Sequence, residues 1–218
     1  MNISARVMAT SLIACAAFCT STVADAAIYV KIPGVGGDVL GPDGERDWFV
    51  ADSFSFGVER EMKESGEKGG TADINIGVGE LQECTISKSM DAASAGLAHF
   101  AWSGRNPGDA TICFSNRTDN PRPGSTASEG TPVCYLKYKL DRAFVRGWST
   151  SGDADDRPTE EVAFYFSKIA FGYETESPEG APSTASMGWD NVKNTEWGSG
   201  ARDALDGVAG PPPPPLRD

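Results

Sequence analysis

A single histidine, His99, is all the imidazole in this chain of 218 residues. Any Ser-His-Asp or Cys-His arrangement would have to be built on it. It stands between Ala98 and Phe100 in a short helical pattern, where a surface or interface role is the expected one. Basic residues are scarce as well: 19 Lys and Arg against 31 Asp and Glu leave a formal net charge of −12. Such a chain lacks the basic footprint that nucleic acid or an anionic membrane requires. Long apolar runs are missing beyond the first twenty residues, and no internal repeat is present. Cysteine is sparse, and none of it has the close spacing of a zinc site. The glycines of Gly34–Gly37 open no helix and so make no phosphate loop. Asp153, Asp155 and Asp156 form an acidic turn without the bidentate Glu that completes a calcium loop, so a solvated turn is expected, with Arg157 available to pair with it. Carboxylates are plentiful, but none stands in a setting recognisable for glycoside hydrolysis. These absences predict a protein that is not an enzyme, with no cofactor, no metal, no nucleic-acid partner and no stable membrane insertion.

What is present begins with an export leader. Arg6 supplies a positive start, Val7–Cys19 an apolar stretch, and Ala24-Asp25-Ala26 a small-residue cleavage pattern, so cleavage falls between Ala26 and Ala27. The apolar stretch is too short and interrupted to span a bilayer as a helix. Leu12-Ile13-Ala14-Cys15 offers a competing reading, lipid attachment at Cys15, and an uncleaved anchor is a third. The expected destination is periplasmic or extracellular, and the mature chain should be soluble. Residues 1–26 are thus read as signal peptide, 27–175 as one domain, and 176–218 as a flexible tail rich in Pro, Gly and Ser with a five-proline run near its end.

Between leader and tail the patterning is mainly β. Ile28, Val30 and Ile32 alternate with Tyr29 and Lys31, and Pro33-Gly34 ends the run. Trp48–Val50, Ser53–Val58, Leu81–Met90, Ile112–Phe114 and Val133–Leu140 supply further strands. Leu97, Phe100 and Ala101 fall on one side of the one convincing helix, with Asp91 or Ser94 to cap it and Gly104 to end it. Val162, Phe164 and Phe166 share a face before the apolar phase slips to Ile169, Phe171 and Tyr173. A β-bulge at Ser167-Lys168, re-aiming one strand to serve two sheets, would account for that slip. Glu61–Gly79 has no apolar face and reads as a long exposed loop, of the kind that is often functional.

Three cysteines remain after the leader. Cys113 and Cys134 lie on two strands that a loop could fold into a hairpin, so a Cys113–Cys134 disulfide is the favoured pairing, suited to an oxidising compartment. Cys84 is then a buried free thiol beside Ile86. Three unpaired small hydrophobes remain the alternative. Asn116-Arg117-Thr118 matches a glycosylation acceptor, a pattern frequent by chance.

Several stretches, in order, resemble the haemolysin-coregulated protein (Hcp) family, the tube-forming proteins of bacterial type VI secretion. Ala27–Val39 is similar to the family's opening strand and turn, and Asp52–Val58 to its second strand. Ser87–Ser94 with the helix to Gly104 matches the passage from strand to helix. Asp156-Arg157-Pro158 followed by Val162–Ile169 resembles the closing segment. The resemblance implies a compact β-barrel of two packed antiparallel sheets with one flanking helix, hexameric rings closed by contacts between strands, and stacking into a hollow tube. It also places Glu61, Met62, Lys63, Glu64, Glu67 and Lys68 in the loop that reaches toward the neighbouring ring. Family members normally carry no export leader and have a shorter tail. The expected partners are other copies of the chain, and type VI components or cargo. A monomeric secreted binding module, using the 61–79 loop or the Trp-containing tail, is the competing function, and a hydrolase ranks last.

Overall fold

The computed structural model describes residues 26–42, 44–64, 74–117, 132–176 and 182–205. The leader up to residue 25, including Cys15, lies outside them, as do Glu67 and Lys68. In chain order the elements are β1 (Ala27–Lys31), β2 (Trp48–Ala51), β3 (Ser53–Ser55), β4 (Val58–Glu64), β5 (Ile74–Leu81), β6 (Cys84–Ser89), α1 (Ser94–Ser103), β7 (Ala110–Arg117), β8 (Pro132–Asp141), β9 (Phe144–Ser151), β10 (Thr159–Tyr165), β11 (Lys168–Glu176), β12 (Pro182–Asp190), β13 (Thr195–Glu196) and α2 (Ser199–Ala204). The strands make a seven-stranded sheet in the order β13-β12-β11-β8-β7-β1-β2, a four-stranded sheet in the order β3-β6-β10-β9, and a separate hairpin of β4 and β5. All pairings are antiparallel. The molecule is therefore mainly β, with several antiparallel sheets and two helices among the described residues.

The core lies between the two larger sheets. Val30, Ile112, Leu140 and Ile169 from one meet Ile86, Val145, Val162 and Phe164 from the other, with Leu97 of α1 added at the side. Phe54 of β3 bridges the layers, its ring edge-on to Phe114 at 5.4 Å and 4.8 Å from Tyr138. Alternation in β6 and β10 follows directly from this arrangement, because each has one face on the core and one away from it.

The chain changes sheet at two corners. After β8, Arg142 adopts a left-handed φ of 51°, its N–H donating to Asp109 Oδ1 at 3.0 Å, and β9 enters the four-stranded sheet. After β10, buried Phe166 and Ser167 carry the chain back into the seven-stranded sheet as β11. Here the apolar phase slip has a different cause from the expected bulge within one strand. It marks a break between two strands of different sheets, held by Ser167 N–H donating to the Asp141 carbonyl at 2.9 Å.

α1 begins after Ala93, whose N–H is taken by the Asp91 carboxylate at 2.8 Å, while Ser94 Oγ accepts from Asp91 N–H at 2.9 Å. Gly104, at a φ of 64°, closes the helix with its N–H on the Phe100 carbonyl.

Two further expectations are corrected. The segment after residue 175 was expected to be a flexible tail, but β12 pairs with the whole length of β11, from Lys168↔Asp190 to Glu176↔Pro182. Trp189 packs against the main core, and α2 with Leu205 covers Ala170 on the other side of the sheet. Gly188 permits that cover, since a Cβ there would lie 2.3 Å from Cβ of Ala201. The domain thus runs on to at least Leu205, and the flanking helix is joined by a second. The 61–79 loop is likewise largely a hairpin, with β4 and β5 paired from Val58↔Leu81 to Glu64↔Ile74 across one irregularity.

Candidate assembly surfaces

The β4–β5 hairpin is the first surface. Its strands pair with one another and with no other strand among the described residues. A two-stranded ribbon alone is at best marginally stable in water, so it gains by packing against something else. Glu61, Met62, Lys63 and Glu64 all lie on β4, and Met62 is 65% exposed. The expected exposed loop is a strand here, held by its pairing with β5; Val58–Glu64 has charges at five of its seven positions and so shows no apolar alternation of its own.

At the base of the hairpin, an apolar cavity of about 220 Å³ opens between β4–β5 and the β11–β12 pair. Its walls include Phe56, Val58, Leu81, Phe171, Met187 and Trp189, with Arg60 alongside. Val58 is 58% and Met187 42% exposed at this site.

A second apolar feature lies on α1. Trp102 is 80% exposed, with its ring edge-on to Trp148 of β9 at 6.1 Å. Trp148 is itself held in place, because its Nε1–H donates to Glu160 Oε2 at 2.7 Å.

That carboxylate belongs to a buried ionic cluster the sequence reading missed. Glu160 Oε1 accepts from Lys88 Nζ and from Ser94 Oγ, each at 2.8 Å. Lys88 also reaches the Asp91 carboxylate at 2.7 Å and the Ser89 carbonyl at 2.8 Å. Both Lys88 and Glu160 are fully buried at their side chains. A signal was present: Lys88 falls in phase with Cys84 and Ile86, and Glu160 in phase with Val162 and Phe164. Their strands bring them into register as direct partners. Two opposite charges at core-facing positions of neighbouring strands are tolerable only as a pair. This cluster ties β6, β9 and β10 to the start of α1.

The other sequence candidates stay apart. His99 is exposed on α1 with its ring against Phe100. Asp153 turns back on its own loop, accepting from the N–H groups of Asp155 and Asp156. Among the described residues, no group of three or more His, Cys, Asp or Glu could hold a metal ion, and no helix is long and apolar enough to cross a membrane. Cys113 and Cys134 form a disulfide between β7 and β8, with Cα atoms 5.5 Å apart. Cys84 is a free, buried thiol, and burial pushes its pKa up to about 12. Tyr138 is raised too, by burial first and by the charge of Cys84 second. The tail tryptophans are engaged in packing: Trp189 against the core, Trp197 against the small α2 cluster with Lys168 Nζ 5.0 Å from its ring centroid.

Comparison with known proteins identifies this architecture. Residues 29–173 match the family described as type VI secretion system effector, Hcp. No curated protein matches the sequence. Among solved structures, a type six secretion system protein superposes with a TM-score of 0.62 at 21% identity, covering 78% of this chain and 98% of the other. Hcp1 from Salmonella typhimurium gives 0.56 at 22% identity, with 80% and 99% covered. A type VI secretion system effector from Yersinia pestis gives 0.51 at 16%, with 75% and 98% covered. At these identities the structures speak for the fold.

Proposed function

The chain belongs to the Hcp family of type VI secretion proteins, and on that premise we propose that it is an exported, non-enzymatic structural protein that assembles into hexameric rings able to stack into tubes. The observation that carries this reading is the pairing of the family fold with a hairpin, β4–β5, that has no strand partner among the described residues beyond itself. A ribbon of that kind is what a neighbouring copy would stabilise, and a head-to-tail contact repeated by rotation closes into a ring.

The same proposal holds that the leader is removed between Ala26 and Ala27 and that Glu61, Met62, Lys63 and Glu64 meet the next ring. Export is supported by the Cys113–Cys134 disulfide, a bond that persists in oxidising compartments and is rare in reducing ones. The partners are other copies of the chain and, through the family, type VI components or cargo.

Electron microscopy of the mature chain from Ala27 tests the proposal. Six-fold rings with a central opening are expected. Featureless particles of single-chain size, at concentrations well above micromolar, would end it.

A further inference from the structure

The cavity at the hairpin base is a slot between two matched patches. On the sheet side, β11 and β12 present Ile169 and Phe171 beside their cross-strand partners Trp189 and Met187. On the hairpin side, Val58 stands opposite Leu81, and Arg60 opposite Gly79. Arg60 is the one charged residue among those that line the slot. Strand alternation turns the nearby carboxylates of Glu59 and Glu80, which oppose each other in register, to the other face of the hairpin. Gly79 gives the guanidinium its place, since a Cβ there would lie 3.2 Å from Arg60 Nη2. We propose that the slot binds a small aromatic carboxylate, with its rings between the two patches and its carboxylate on Arg60. The inference goes beyond the assembly reading and does not depend on it.

Three observations favour this class of ligand. First, the size suits a small ring system. An apolar void of about 150 Å³ takes up one benzene, so about 220 Å³ has room for two fused rings. Larger ligands occupy roughly 300–1,000 Å³. Second, the walls suit an aromatic body. Phe56, Phe171, Trp189 and the Met187 thioether line the slot, and they offer ring-edge and sulfur contacts from which a saturated chain gains less. Third, the charge suits an acid. A guanidinium and a carboxylate can share two parallel hydrogen bonds, and Arg60 is exposed, so neither charge has to leave water completely. Entry is also provided for. The hairpin strands pair only with each other among the described residues, so they can lift from β11–β12 without breaking bonds of the larger sheets.

The test titrates the mature chain from Ala27 with 2-naphthoate, its neutral analogue 2-naphthamide, and decanoate. Calorimetry measures affinity, and NMR of methionine methyl groups locates the ligand. Met1 and Met8 precede Ala27, so Met62, Met90 and Met187 report. One naphthoate per chain is expected, with the Met187 methyl shifted by the ring current and Met90 unmoved. The amide should bind at least about ten-fold more weakly, the equivalent of one hydrogen bond to a charged group; decanoate should also bind more weakly than naphthoate. Arg60→Gln should lower naphthoate to the level of the amide and leave the amide unchanged, a split that misfolding would not produce. Val58→Trp, at a site 58% exposed, fills the slot from the hairpin side; it should abolish binding of both while thermal unfolding stays within a few degrees of the parent. Naphthoate that fails to saturate at millimolar concentration overturns the proposal. So does binding that leaves Met187 unmoved or survives Val58→Trp. Equal affinity for acid and amide overturns the carboxylate assignment, and tighter binding of decanoate overturns the aromatic one. Assembly is read separately from the mass of the particle, so a failure here leaves the ring reading standing.

Discussion

Lys88 and Glu160 show how much a pair of side chains can decide. Each alone would be a stranded charge in the core; together, with Asp91, Ser94 and Trp148, they are satisfied on every side that matters. Lys88→Met leaves Glu160 without its cation, and a loss of about 3–5 kcal/mol is expected. The double variant Lys88→Met, Glu160→Leu should lose less than either single change. Urea denaturation of the four proteins measures this, and a double variant at the sum of the singles would refute the coupling. Cys84 gives a second test at this scale. Its thiol is held protonated up to about pH 12 in the fold, against an ordinary value of 9.0. The unfolded chain therefore releases that proton first, and stability falls as pH rises from about 9 toward 12, by up to about 1.4 kcal/mol per pH unit. Cys84→Ala should show a shallower fall over that window; equal slopes would mean that the thiol is not buried in solution. The charged pair could have been read from the strand phase of residues 84–88 and 160–164, but a single lysine in an otherwise apolar alternation is easily taken as a strand end.

Among the elements, those with their own periodicity were legible and those made by pairing were not. β1, β6, β8 and α1 announce themselves through alternation or helical spacing. β12 does not: Pro-Ser-Thr-Ala-Ser-Met-Gly-Trp-Asp has little strand propensity, and it becomes a strand because β11 offers it a full open edge. β4 and β5 were hidden in the same way by charge and glycine. The break between β10 and β11 was visible as a phase slip, although a slip alone cannot separate a bulge from a change of sheet. If β12 and α2 are integral, a chain ending at Glu176 loses the packing of Trp189 and uncovers the edge of β11. A loss of at least about 3 kcal/mol is expected, comparable with deleting one large core aromatic. Denaturation of the shortened chain checks it, and an unchanged midpoint would restore the flexible-tail description. Replacing both Cys113 and Cys134 by Ala should cost about 3 kcal/mol from the loop that the bond closes across a separation of 21 residues. Thermal unfolding with and without reductant gives the same comparison, and a midpoint indifferent to the bond would remove its structural role.

At the level of the whole molecule, family and fold were legible because short stretches occur in the right order, each modest alone. The surface features were not, since the cavity residues of β4, β5, β11 and β12 are ordinary strand members that come together only in the fold. The net charge of −12 makes a prediction here as well. Like-charged subunits repel less when salt shortens the Debye length from about 30 Å at 0.01 M to about 8 Å at 0.15 M. Assembly through an apolar contact should therefore strengthen on adding salt, and weakening would point to an ionic interface. The most direct measurement is the mass of the mature chain from Ala27, by light scattering coupled to size exclusion at physiological salt. A mass near six subunits is the expected result. A single-chain mass that persists at high concentration would contradict the ring.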